Sequence, residues 1–322
     1  MRLLAALITL CGLAVVATGS SSTLRLTPMA QATAEQLRIL GRAPTPFEEK
    51  WGIFVEWSEV PGGVFQLSVP EGFLTLRDRN FRYVCSQRWQ ADGRGGWRFD
   101  EPLQFARRDP ARPFEPGKPY TIEPYVQYPA RLRARVEPFE DRVELAFELV
   151  NLGREPLESE LLWICFLHGW GGPGFDQLTV PGFSRTTFFR RGGAFAPWPP
   201  QETEYKFMSA SGAALTARGW RRHADLQARY GDALPVRPHP AADGVRAAKI
   251  DRRGRTLTVA IASEDAEVLG GPTGNPCTDL GLGLEPVPAG GSASVRATAW
   301  FVRGGFDVLE RALAGARGRG GR

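Results

Sequence analysis

Histidine is the scarcest chemistry-bearing residue in this chain: 322 residues hold three, His168, His223 and His239. They lie 55 and 16 residues apart, so no short-spaced pair pre-forms a metal site, and no metal is expected through them. The pentapeptide G-x-S-x-G is absent, which removes the nucleophile elbow of an α/β-hydrolase. Past the N-terminus no apolar run reaches the roughly 18 residues of a spanning helix. No repeat of fixed period occurs. Cysteine is sparse too, limited to Cys11, Cys85, Cys165 and Cys277.

The chain does have enough apolar material for a large core, at 43% hydrophobic and 11% aromatic. Met1 and Arg2 precede an apolar run from Leu3 to Val16, followed by Ala17-Thr18-Gly19, which has the form of a cleaved signal peptide. Cleavage is expected after Gly19, with Ala17 the alternative. A lipoprotein reading through Cys11 fails because Leu10 stands where a small residue is needed. The mature protein is therefore expected to be periplasmic or secreted. Its remaining cysteines, Cys85, Cys165 and Cys277, are odd in number and allow at most one disulfide. The net charge of +5 includes the tail Arg317-Gly318-Arg319-Gly320-Gly321-Arg322, which reads as a solvated end. No nucleic-acid partner is expected.

Thr33 and Gln36 have capping-box spacing, which predicts a short helix over Ala34 to Leu40. Then the helical period gives way to runs rich in aromatic and β-branched residues, cut by many of the 37 glycines and 26 prolines. Such runs are Trp51 to Trp57, Val64 to Val69, Phe73 to Arg79, Phe81 to Trp89 and Tyr120 to Tyr128. Between Arg131 and Val150, apolar residues alternate with charged ones on both sides of Glu140-Asp141, the pattern of a half-buried hairpin. Its arginines Arg131, Arg133 and Arg135 can pair across it with Glu144 and Glu148. Leu161 to Leu167 suits a strand covered on both faces, and Thr256 to Ala262 and Ser294 to Val302 alternate again. Arg218 to Tyr230 and Phe306 to Leu313 carry helical spacing. These elements predict an all-β fold, a large antiparallel β-sandwich with a few short peripheral helices. The expected division is a signal peptide over 1–19, an extension with a short helix over 20–50, one sandwich over 51–315 and a disordered basic tail over 316–322.

The densest chemistry lies in the segment from Trp163 to Gly174, where His168 and two tryptophans lead into a glycine-rich loop. Gly169, Gly171 and Gly174 match G-x-G-x-x-G, but Phe175 to Pro181 supplies no helix for a dinucleotide site. His168-Gly169-Trp170-Gly171 has the look of an esterase oxyanion loop, with no nucleophile elsewhere to serve it. No cofactor is expected. His168 remains as a candidate acid or base, and the tryptophans as sugar platforms or core.

Val143-Glu144-Leu145-Ala146-Phe147-Glu148-Leu149-Val150-Asn151-Leu152-Gly153-Arg154-Glu155-Pro156-Leu157 is a strand ending in an N-x-G-x-x-P-L turn. With His168 one strand later, and a weaker match from Cys277 through Pro288-Ala289-Gly290-Gly291 to Phe301, it resembles the galactose mutarotase-like β-sandwich proteins. It is similar also to exported bacterial proteins with a C-x-x…P-x-G-x-S pattern, here Cys277 to Ser292. The resemblance implies a large β-sandwich and, in the epimerases, a carboxylate opposed to a histidine across the sugar. It puts His168 in the histidine role and Asp279 or Glu285 in the carboxylate role.

Two function classes follow. One is an exported carbohydrate-binding or carbohydrate-modifying sandwich protein, with His168, Asp279 and Glu285 as catalytic candidates. Its ligand contacts would be Trp163, Trp170, Trp198, Asp176 and Arg185. The other is a non-catalytic envelope or interaction protein, in which His168 is buried and the tryptophans are core. Neither class fixes an oligomeric state.

Overall fold

The computed structural model describes residues 23–40, 52–60, 64–75, 80–84, 88–107, 123–158, 160–168, 184–198, 211–230, 241–252, 254–272 and 277–317. The chain opens with β1 (Leu24–Pro28), α1 (Ala34–Leu40), β2 (Gly52–Trp57), β3 (Phe65–Thr75), β4 (Asn80–Tyr83) and β5 (Gln90–Ala91). There follow β6 (Trp97–Arg107), β7 (Glu123–Pro138), β8 (Arg142–Asn151), β9 (Glu160–Leu167), β10 (Ser184–Arg191), β11 (Ala194–Pro197) and β12 (Ser211–Leu215). It closes with α2 (Ala217–Tyr230), β13 (Val245–Arg252), β14 (Arg255–Ala262), β15 (Ala266–Pro272), β16 (Cys277–Leu284), β17 (Ser292–Arg303) and α3 (Phe306–Arg317).

The strands build two antiparallel sheets, as the periodicity predicts. The eight-stranded sheet runs β1-β2-β3-β9-β16-β15-β12, with β4 added on β3. The nine-stranded sheet runs β11-β10-β13-β14-β17-β8-β7-β6-β5. Their inner faces share one apolar core. Phe301 of β17 lies at its centre, with ring centroids 5.6 Å from Trp57, 5.4 Å from Phe65 and 5.6 Å from Phe166. Those three partners belong to the opposite sheet, so these rings stitch the two layers together.

Local chemistry explains the elements. In β8 the buried positions are Val143, Leu145, Phe147, Leu149 and Asn151, alternating without a break. Across the hairpin Arg133 faces Glu148 and bonds it at 3.0 Å. Arg131 turns to Asp100 at 2.9 Å and Arg135 to Glu137, so only one of the three arginines pairs across to β8. The capping box of α1 is present in both directions, Gln36 N to Thr33 Oγ1 at 3.2 Å and Thr33 N to Gln36 Oε1 at 2.9 Å.

Several expectations are corrected. The run at 64–69 and the described part of the next, 73–75, belong to one strand, β3, which passes Pro70 where the register with β9 shifts between Ser68 and Gly72. The described part of the 120–128 run, 123–128, likewise joins 131–136 in β7. The segment 20–50 holds a strand as well as a helix, since β1 pairs with β2 from Leu24↔Trp57 to Pro28↔Ile53. α3 continues to Arg317, because Leu309, Ala312, Leu313 and Ala316 pack on the outer face of the nine-stranded sheet. The segment 1–22, with the expected cleavage point, lies outside the described residues. No helix among the described residues is long and apolar enough to cross a membrane.

Candidate functional site

Strand alternation divides β9 between two environments. Leu162, Ile164 and Phe166 enter the common core, while Cys165 and Leu167 join a separate cluster on the other side of the eight-stranded sheet. Trp163 lies on that outer side too. Its indole crosses β15 and β16 where a Cβ on Gly270 or Gly281 would come within 2.8 Å and 2.9 Å of the ring. Both glycines are therefore required to seat it.

Register brings polar groups beside this tryptophan. Asp279 faces Cys165 and Cys277 faces Leu167 across β16 and β9, while Ser68 faces Cys165 and Gln66 faces Leu167 across β3. Gln66, Ser68, Cys165, Cys277 and Asp279 are all buried, at 5% exposure or less. Gln66 Nε2 donates to Ser68 Oγ at 3.1 Å, and the two sulfurs stand 3.2 Å apart as free thiols. Gln66 Oε1 and Asp279 Oδ1 are buried with no hydrogen-bond partner. An unmatched buried acceptor is costly, so each of these atoms calls for a donor, an ordered water included.

The electrostatics follow from burial. Desolvation lifts the Asp279 carboxyl to about 6, against the pull of the Cys165 hydrogen bond, the Arg246 charge and Trp163. Burial pushes the Cys165 thiol well above its ordinary range. Arg246, on β13 of the opposite sheet, spans the sandwich and donates to Gly270 O at 2.8 Å and Cys277 O at 3.4 Å. Its guanidinium lies 3.5 Å from the centroid of the Trp198 ring. Desolvation draws Arg246 down to about 9, so it remains a cation at neutral pH. Among the described residues it makes no salt bridge.

The residues singled out from sequence are dispersed. His168 is fully buried and sets its ring 6.1 Å from Phe166, edge to face, on the core side of β9. Asp279 lies on the outer side, so the two do not face each other. Glu285 is bonded by Arg218 at 3.1 Å and Arg222 at 3.3 Å, part of a cluster that docks α2 through the buried Glu267. Trp163 and Trp198 are buried at 2% and 8% exposure, so neither offers an open stacking face. Trp198 instead packs against Phe189 at 5.7 Å and under Arg246. Arg185 falls in β10 opposite Ile250. Trp170 and Asp176 lie outside the described residues.

Sequence reading missed Gln66, Ser68 and Arg246, and gave Cys165 and Cys277 no site role, allowing only that at most one disulfide could form among Cys85, Cys165 and Cys277. One signal was available: Cys277 and Asp279, two apart on a strand, share a face.

The turn that carries the resemblance has a structural explanation. Asn151, 1% exposed, donates to the carbonyls of Glu155 at 2.8 Å, Val287 at 3.0 Å and Pro288 at 3.2 Å. Its Oδ1 accepts from Gly153 N at 2.8 Å. It thereby ties the 151–157 turn to the segment before β17, the second stretch of the resemblance.

The molecule is thus an antiparallel two-sheet β-sandwich with a buried thiol, carboxylate and amide cluster on the outer side of one sheet. No family model matches the sequence, and no curated protein matches it. Among solved structures, the chain is similar to a protein of Synechocystis at 10% identity, covering 80% of this chain and 94% of that one, with a TM-score of 0.33. A galactose mutarotase related enzyme of Lactobacillus acidophilus matches at 10% identity over 77% and 90%, with a TM-score of 0.32. A galactose mutarotase-like protein of Clostridium acetobutylicum matches at 8% identity over 79% and 93%, again with a TM-score of 0.32. Two of the three carry the name of the family that the sequence resembles. The fold stated here stands on strand order and register, and no activity passes from these proteins to this chain.

Proposed function

We propose that this chain is an exported sandwich protein that binds carbohydrate at the outer side of the eight-stranded sheet, without converting it. The observation that carries the reading is the buried polar pair Gln66 and Ser68, where Gln66 Nε2 bonds Ser68 Oγ and Gln66 Oε1 awaits a donor. A sugar hydroxyl both donates and accepts, and so can satisfy such groups. Binding without turnover is favoured because ring opening needs an acid and a base on opposite sides of one sugar. His168 packs on the core side, Asp279 on the outer side, and Glu285 is held by two arginines.

A second reading, a non-catalytic envelope or interaction protein, is favoured by a different observation. His168, Trp163 and Trp198 are all buried, which leaves none of them as a platform.

The test uses the chain from Ser20 in thermal-shift and tryptophan-fluorescence screens against soluble glycans and monosaccharides. A ligand-dependent shift that disappears in Gln66→Leu or Ser68→Ala supports the sugar site. No response across the panel gives the interaction protein. N-terminal sequencing from cell fractions tests export: Ser20 in the envelope or medium is expected, and Met1 retained in the cytosol refutes it.

A further inference from the structure

We propose that Cys165, Cys277 and Asp279 form a buried binding site for a divalent zinc-type cation. The thiols and the carboxylate offer ligand atoms that all lie within 4.8 Å of one another. They sit on two neighbouring strands, Asp279 directly opposite Cys165 and Cys277 two residues before Asp279. Zinc bonds to sulfur at about 2.3 Å and to oxygen at about 2.0–2.2 Å, which needs only small side-chain adjustments from these positions. Two soft sulfurs with one carboxylate suit zinc and exclude calcium or magnesium, which take oxygen ligands.

One further observation points the same way. Asp279 Oδ1 is buried with no hydrogen-bond partner among the described residues, in the same cluster as both sulfurs. Arg246, whose guanidinium bonds Cys277 O, brings a positive charge close by, so the site holds a dication only when both thiols give up their protons. The remaining coordination position falls to water.

Binding is balanced by proton release: the cation gains two thiolate bonds and one carboxylate bond, and both thiol protons leave to solvent. A disulfide is the competing use of the pair. It requires the sulfurs to close from 3.2 Å to about 2.05 Å, and needs an oxidant to take two electrons and two protons. It would also leave the Asp279 oxygen buried and unmatched, which the cation does not.

The inference shares the face of the proposed ligand patch but stands without it, because its test contains no glycan. The purified full chain, grown with zinc and never exposed to chelator, is measured for metal by mass spectrometry. About one zinc per chain is expected, falling at least tenfold in Cys165→Ser and Cys277→Ser and weakening in Asp279→Asn. Should the serine variants not fold, the wild type alone decides. After zinc removal it is titrated with cobalt, which should give a thiolate-to-cobalt charge-transfer band and tetrahedral d–d absorption. Absence of both zinc and the cobalt band overturns the proposal. So does peptide mapping after alkylation that finds Cys165 joined to Cys277 by a disulfide in the protein as isolated.

Discussion

Replacing Asn151 gives a sharp test of the strut between the 151–157 turn and the segment before β17. Its amide serves three carbonyls and accepts one backbone N–H, all at 2.8–3.2 Å, from a side chain 1% exposed. In Asn151→Ala those groups lose their partner where water has little access. An unmatched buried polar group costs about 1–3 kcal/mol, and part of this set can reach solvent, so a loss of about 2–4 kcal/mol is expected. Asn151→Asp should be worse at pH 7, because a carboxylate accepts only and would face three carbonyl oxygens. Its protonated form can donate once, so the deficit of Asp relative to Ala should shrink as pH falls. Urea unfolding followed by tryptophan fluorescence measures the loss, and Tm should drop by roughly 2–4 °C for each kcal/mol. Stability within about 0.5 kcal/mol of the parent for Asn151→Ala would refute the strut, as would parent-like stability of Asn151→Asp at pH 7.

Four other outcomes are expected. Gly219→Ala should destabilise α2, although alanine is worth about 1 kcal/mol over glycine in a helix, because its Cβ would meet Glu267 O at 2.0 Å. Gly315→Ala in α3, with nothing within 4 Å of the new Cβ, should raise stability by about 0.5–1 kcal/mol; thermal denaturation of the two variants should move in opposite directions. The Arg133 hydrogen bond, with a second from Ser292, holds Glu148 below its ordinary pKa, so its contribution is present at neutral pH and lost as pH falls through that depressed value. A double-mutant cycle of Arg133→Ala and Glu148→Ala should then show a small coupling at pH 7 that is absent near pH 2. Phe301→Ala should cost about 3–5 kcal/mol in chemical denaturation, and a cost below about 1 kcal/mol would show that its three aromatic partners close the gap.

Local signals in the sequence correspond to local structure. The Thr33–Gln36 box marks the start of α1, and the alternation from Val143 to Leu149 marks the pleat of β8. Glycines misled where tertiary contacts set their role. Gly270, Gly281 and Gly283 do not punctuate the chain but lie inside β15 and β16, because the Trp163 ring and the Glu267 side chain occupy the space of their missing Cβ atoms. Arg246 carries no local signal of its burial, which depends on carbonyls and a tryptophan supplied by other segments of the chain. The site was still less legible. Cys165 and Asp279 meet only through the register of strands far apart in the chain, and spacing along a strand says nothing about which strand will be its neighbour.

The two sheet orders carry a consequence for synthesis. In the eight-stranded sheet β16 alone joins β9 to β15, and in the nine-stranded sheet β17 alone joins β8 to β14. Both seams are supplied by consecutive strands near the end of the chain. While the ribosome is still short of β16, the nascent protein holds four separate half-sheets, each with a bare edge open to mispairing. Closure waits for the last strands, whose partners β9 and β8 lie far back in the chain. A premature stop before residue 277 would leave an unsealed, aggregation-prone product, even though most of the core residues had already been made.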